Sequence, residues 1–356
     1  MTTLALPRTP SRARPARWLL GSAALGLAVV GAALASLSYG QVAIPLGEVV
    51  AGLLDPSADS TTARILHDLR LPRVGTALVA GAALGIAGVL MQALLRNPVA
   101  DAWSLGLLAG GQLGVALTVA GAAFAGPAAL QFLEVFRGVS LTAGAAVGVA
   151  VAAVAVLWLG RRVGAVTLLV VGLMLTFTAQ GVVSVVMHFA GRAGGRVFSG
   201  WNDGTFASVV PAEWPLLVGV VVAGVVLAGA CAKPLNSLLL GETYAKSLGT
   251  HVGRLRALAM AATILLVAPV TAFCGPVTFI GLIVPHVARA VAKTARIGPL
   301  LPLAALAGAL LAVAADFVVH LPWDQHFLHL NAVLALVGAP VVIALLMFSP
   351  TMRGLR

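Results

Sequence analysis

The sequence is short of charge. Only 9% of its 356 residues are Asp, Glu, Lys or Arg, whereas a soluble domain carries about 25% and needs it to cover its surface. A soluble globule is thereby excluded. Acid is scarcer than base, 11 residues against 22, and no chain of carboxylates exists for a proton relay through a membrane. That argues against an ion-coupled secondary transporter, which also needs coupling carboxylates at its midplane. Cysteine is limited to Cys231 and Cys274. On the span assignment below they lie near opposite membrane faces, about 30 Å apart, too far for a disulfide.

Chemical motifs are missing too. No Gly-rich turn ends in Lys-Ser or Lys-Thr, and neither His-Glu-x-x-His nor Gly-x-Ser-x-Gly occurs. No nucleophile–base pair suggests an intramembrane enzyme. The seven histidines are scattered. His326 and His329 beside Asp324 form the one close group; without third and fourth ligands they read as a solvated loop rather than a metal site. No cofactor is expected. The chain shows no energy source of its own.

What the chain has is apolar length. Its residues are 60% hydrophobic and its mean hydropathy is +1.05. A helix needs about 20 apolar residues to cross the hydrocarbon core. Ten stretches qualify or nearly so: Trp18–Leu37, Val74–Leu95, Ser104–Ala125, Val139–Leu159, Val163–Ala190, Trp214–Cys231, Ala257–Cys274, Val277–Ala292, Pro299–Val319 and Leu328–Phe348. The runs are too long, and alternate too little, for strands. The fifth is long enough to tilt or break. The eighth is short and holds Pro285, His286 and Arg289. The basic leader and the Ala-Leu-Ala near the end of the first run mimic a cleaved signal, but that run exceeds a signal core and reads as a retained anchor.

The formal charge of +11 does not indicate nucleic acid, because Lys and Arg sit in short loops between apolar runs, as topology determinants do. With the N-terminus inside, the outer segments hold Arg64, Arg70, Arg73, Arg137, Arg192 and Arg196, and the other 16 of the 22 basic residues are cytoplasmic. The even span count returns the C-terminus to the cytoplasm. The expected organisation is a basic tail over residues 1–17, one ten-helix domain over 18–348 and a short tail over 349–356. Gly106, Gly110 and Gly114 share a helix face, as do Gly81 with Gly85 and Gly144 with Gly148. Small residues let helices approach in lipid, so these faces are expected to pack inside one subunit, with a subunit interface as the alternative.

Two stretches are too specific for generic membrane sequence. One is Leu69-Arg70-Leu71-Pro72-Arg73 followed by Met91-Gln92-Ala93-Leu94-Leu95-Arg96-Asn97-Pro98-Val99-Ala100-Asp101. The other runs Leu240-Gly241-Glu242-Thr243-Tyr244-Ala245-Lys246-Ser247-Leu248-Gly249, then Gly275-Pro276-Val277-Thr278-Phe279-Ile280-Gly281-Leu282-Ile283-Val284-Pro285-His286-Val287-Ala288-Arg289. Both resemble the FecCD permease family, the transmembrane subunits of ABC importers for iron–siderophore, haem and cobalamin. The resemblance runs from about Leu69 to Met347. It implies a type II ABC importer permease: an all-α polytopic protein of the bacterial plasma membrane with ten spans and both termini cytoplasmic. Implied partners are two ATP-binding subunits, an extracytoplasmic substrate-binding protein and a second permease copy or paralogue, all within lipid.

Site residues follow from the same resemblance. Leu240, Gly241, Glu242, Ala245, Leu248 and Gly249 would form the coupling helix that docks on the ATPase; a helix lying on headgroups is the alternative. Arg70 and Arg73, at the mouth of the second span, would meet carboxylates of the binding protein, with snorkelling as the bland reading. A third family arginine is replaced here: Asp316 is followed by His320, a candidate docking residue. Asn97, Pro98 and Val99 would form the inner gate, or simply a tight turn. Gly275, Pro276, Gly281, Pro285, Gly338 and Pro340 read as structural breaks. The resemblance places the fifth and last spans along the pathway. Leu328-His329-Leu330-Asn331-Ala332 departs from the family pattern, and Trp201-Asn202-Asp203-Gly204 reads as a packed outer turn.

Overall fold

The computed structural model describes residues 15–40, 42–55, 61–160, 162–322 and 328–348. Arg8, Arg12, Arg14, Arg161, Asp324, His326 and the tail over 349–356 lie outside them. All regular structure among the described residues is helical. The chain runs α1 (Pro15–Ser38), α2 (Leu46–Leu54), α3 (Thr61–Arg64), a π-helical turn (Ile65–Arg70), α4 (Leu71–Leu95), α5 (Leu107–Ala125), α6 (Pro127–Val135), α7 (Arg137–Gly160) and α8 (Ala165–Asn202). It continues through a 3-10 turn (Pro211–Glu213), α9 (Trp214–Leu239), α10 (Glu242–Ser247), α11 (Val252–Cys274), α12 (Ile280–Ala292), α13 (Ile297–Val319) and α14 (Leu330–Phe348).

Eight helical stretches among the described residues are long and apolar enough to cross a membrane, and two shorter apolar stretches, Ile280–Ala292 of α12 and Leu330–Ala344 of α14, accompany them. The eighth predicted run is therefore no ordinary span. The 13 residues of α12 reach about 20 Å at 1.5 Å each, short of the roughly 30 Å hydrocarbon core. The second run extends the other way. Thr61–Leu95 is one helical stretch of 35 residues, its π turn closed by Leu71 N–H donating to Leu66 O. Pro72 has no N–H to return to the chain, and a widened turn accommodates the missing bond. The fifth run also extends: α8 spans 38 residues and bends at Gly191, where φ is 72° and ψ is −173°. Only glycine adopts that backbone at no steric cost.

The core is built on α4, which packs against α13, α11, α12 and α9. Glycine makes the contacts possible. A Cβ on Gly81 would run into Gly308 O, one on Gly85 into Ala304 O, and one on Gly88 into Gly281 O. Gly110 and Gly114 of α5 meet Gly148 and Gly144 of α7 in the same way. These stripes pack inside one chain. Gly106 leaves its stripe: it turns the chain at φ 81° ahead of α5 and lies over Gly172 of α8.

Candidate functional site

The 23 residues of α11 span about 34 Å, so its two ends mark two faces of the bundle. At its N-terminal end stands α10. Gly241 (φ 117°) and Gly249 (φ 79°) bracket this helix and turn the chain where a side chain would be strained. Ala245 is fully buried, whereas Leu240 is 68% and Leu248 60% exposed. Ala245 is thus the anchor of α10 rather than part of its free face. Glu242, expected in the coupling helix, is paired with Arg256 of α11, and Ser237 Oγ lies 3.1 Å from Thr250 Oγ1. An open groove of about 750 Å³ separates α10 from Arg96, lined also by Leu240, Glu242 and Tyr244.

The loop after α4 begins beside that groove. Arg96 ends the helix in a left-handed conformation, φ 49°. Asn97 Oδ1 accepts from Val99 N at 3.0 Å, so the amide is consumed by its own turn. Pro98 O accepts from His286 Nε2 at 2.9 Å. One turn back, buried Gln92 donates to Leu282 O at 3.1 Å and accepts from Arg289. This polar clasp binds the loop and the end of α4 to α12. The sequence did not single out Gln92, His286 or Arg289 as site residues; their signal was polarity in otherwise apolar runs. Farther along, Asp101 Oδ1 accepts from Ser104 N at 2.9 Å. Burial pushes the Asp101 carboxyl up from its ordinary value, and the Ser104 bonds oppose that.

At the other face, the two expected docking arginines are not free forks. Arg70 is 5% exposed, and its guanidinium donates to Leu37 O, Ser38 O and Val42 O. It caps the orphan carbonyls that end α1. Arg73 Nε lies 3.0 Å from Oδ2 of Asp316, which is 2% exposed. Those two atoms lack an aligned hydrogen bond, so they meet charge to charge. His320 closes the group, its Nδ1 3.3 Å from Asp316 Oδ1 and 2.9 Å from Asp316 O. The sequence treated Arg70 and Arg73 as exposed because they precede a predicted span; the extended helix carries them inward instead.

The same face contains the break between α11 and α12. Gly275 (φ 79°) and Phe279 (φ 66°) hold the intervening segment out of helical geometry, which frees backbone groups that need partners. Three come from the predicted outer turn and the segment after it: Trp201 Nε1 donates to Ala272 O at 3.4 Å, Ser208 Oγ to Phe273 O at 2.6 Å and Thr205 N to Cys274 O at 2.9 Å. Asn331 supplies the rest. Its Nδ2 donates to Pro276 O at 2.6 Å and its Oδ1 accepts from Thr278 N at 3.2 Å. The segment where the sequence departs from the family pattern is thus a clip at the head of α14. Of the six expected breaks only Gly275 and Pro276 lie in non-helical backbone. Gly281, Pro285, Gly338 and Pro340 lie inside helices that run on; Gly281 faces Gly88 and Gly338 receives the Phe279 ring.

One long helix keeps a bare face. On α8, Thr178, Ser184, His188, Arg192 and Arg196 are exposed alongside Phe177, Val182, Val185 and Phe189, and a Cβ at Gly181, Gly191 or Gly195 would touch nothing. The opposite side is packed: Gly194 lies against Val119 and Ala123 of α5, and Val183, Ala190 and Val197 are buried.

Residues 27–348 match the model of the FecCD transport family. The chain belongs to the FecCD transport family. It is 31% identical to the iron(3+)-hydroxamate import system permease protein FhuB of Escherichia coli over 92% of its own length, and spans about half (48%) of that longer protein. It is 31% identical to the ferric enterobactin transport system permease protein FepG of the same organism, covering 93% of this chain and 96% of FepG. The vitamin B12 import system permease protein BtuC of Vibrio cholerae is 34% identical over 80% of this chain and 82% of BtuC. A solved structure described as an inward-facing conformation of a metal-chelate type ABC transporter superposes with a TM-score of 0.76, over 93% of this chain and 99% of that one. At 24% identity it establishes the fold alone. With these apolar helices and FecCD relatives, the chain is a multi-pass protein of the bacterial inner membrane.

Proposed function

We propose that this FecCD chain is the membrane-spanning permease subunit of a binding-protein-dependent ABC importer for an iron chelate, with an iron–siderophore complex as cargo. The import-system permeases FhuB, FepG and BtuC support the class. One geometric observation carries the mechanism: α10 is a short helix held off the bundle by two glycines, fastened through Ala245 and Glu242–Arg256, with Leu240 and Leu248 facing outward. An apolar knob on a polar face fits a cleft on a partner protein better than solvent. The partner is a separate ATPase subunit. Its closure on ATP would push α10, and the push would reach α4 and α12 through Arg256, α11 and the Gln92–Arg289 clasp. The chain itself performs no hydrolysis.

The α10 face is then cytoplasmic, as the basic-residue bias suggests, and both termini lie on that side of the domain over 18–348. Two copies, or this chain and a paralogue, would enclose the pathway between them. The bare face of α8 supports this, because exposed Ser184 and His188 are poorly suited to lipid. The binding protein would approach the face that carries Arg70, Arg73 and His320. There the two arginines support the docking surface from within rather than reaching out of it.

The test is co-purification with the co-expressed ATPase subunit. Leu248→Asp is expected to leave expression and detergent stability unchanged, abolish recovery of the ATPase and stop ATP-driven uptake. An ATPase that still co-purifies and still drives uptake through the variant would overturn the coupling role of α10.

A further inference from the structure

Of the six basic residues assigned to the outer segments, Arg70 and Arg73 are consumed inside the chain. Arg192 and Arg196 are different. They stand four residues apart beyond the Gly191 bend, on one face of the last stretch of α8, exposed and without a hydrogen bond or ion pair among the described residues. Their face is opposite Val197 and Trp201, which are buried. The exposed side of the helix continues toward the middle of the bundle with His188, Ser184 and Thr178 set among exposed Phe189, Val185, Val182 and Phe177, and with open space at Gly181, Gly191 and Gly195.

Headgroup snorkelling accounts for an arginine at a helix end. It does not account for His188 and Ser184, about one and two turns deeper than Arg192 on the same exposed helix, where hydrocarbon tolerates them poorly. Room, and His188 with Ser184 standing at depth among exposed Phe177, Val182, Val185 and Phe189, describe one wall of a wide, weakly polar passage, and among the described residues the full charges on that wall are positive. Resting on the permease reading above, we infer that Arg192 and Arg196 form a cationic rim that selects for net-anionic metal chelates, those whose donor groups are carboxylates or catecholates, over neutral ones. Guanidinium forks match such oxygens in pairs. Two copies of the chain would present four arginines around one passage. A free metal cation would be repelled.

The experiment uses the complete importer, permease with its ATPase subunits in liposomes and with its binding protein. Uptake of a trianionic ferric tris-catecholate and of a neutral ferric tris-hydroxamate is followed by radioactive iron. The wild type is expected to import the anionic chelate preferentially. Arg192→Gln with Arg196→Gln is expected to lower that uptake about tenfold, the loss of one charge-assisted contact, and to leave any neutral-chelate uptake unchanged. Arg192→Lys with Arg196→Lys is expected to retain it, because charge rather than shape is decisive. Binding of the binding protein to the complex is expected to be the same in all three.

Equal loss for both chelates, no loss at all, or wild-type preference for the neutral chelate would overturn the rim. Weakened capture of the binding protein would overturn it too, and assign the arginines to docking. A wild-type complex that imports no ferric chelate with ATP would sink the permease reading itself, a different result from any of these.

Discussion

The stretches Thr61–Leu95 and α8 are near twins as sequences. They run 35 and 38 residues, and their most apolar windows have mean hydropathies of 2.1 and 2.0. In the bundle they are opposites: 83% of the first window is buried and 11% of the second. Hydropathy measures suitability for lipid and for a protein interior alike, since both are apolar. What separates the two helices is the fate of their polar and small residues. On Thr61–Leu95, Arg70, Arg73 and Gln92 each find partners, and each core glycine admits a neighbouring backbone. On α8 the glycines and arginines of one face find nothing in this chain.

The difference can be broken by substitution. The largest effect is expected at the buried ion pair. Arg73→Ala strands Asp316 in the core, a loss of about 3 kcal/mol or more, whereas Arg192→Ala is expected to stay within about 0.5 kcal/mol; thermal unfolding in detergent measures both. Glycine comes next, and here the two helices should respond with opposite sign. Gly88→Ala pushes a methyl group into Gly281 O, costing roughly 1–3 kcal/mol. Gly181→Ala meets open space and improves helix propensity by up to about 1 kcal/mol, so its melting temperature should rise or hold.

A third test concerns the clip. Asn331→Ala leaves Pro276 O and Thr278 N short of partners, and about 2 kcal/mol should be lost. Hydrogen exchange should rise first at Val277–Phe279 while Thr61–Leu95 stays protected. The smallest effect, and the sharpest, is a double-mutant cycle of Gln92→Leu with Arg289→Leu. Each alone leaves a buried partner unsatisfied, and the pair together should recover roughly 1 kcal/mol of coupling. Additive losses would mean that the clasp is not a unit.

Much of the fold was legible. Apolar runs predicted every long helix, glycines at four-residue spacing predicted which faces meet, and Gly241 and Gly249 bracketed α10 within two residues. The site was legible in part. Trp201–Gly204 is packed as expected, though its first two residues still belong to α8; Ala245 faces inward, four of six expected breaks are helical, and Arg70 and Arg73 are spoken for. The misses share a cause: each depended on a partner far away in sequence. Gln92 and Arg289 are 197 residues apart, and Asn331 meets Pro276 across 55.

By itself, then, the sequence determined that this chain spans a membrane, where its long helices lie, and the family motifs. Those properties are local: run length, spacing and left-handed glycines act within a few residues. Only the tertiary structure decided which of two equally apolar helices becomes core and which keeps a bare face. That depends on what stands opposite each side chain, and an exposed arginine differs from a buried one only through its neighbours.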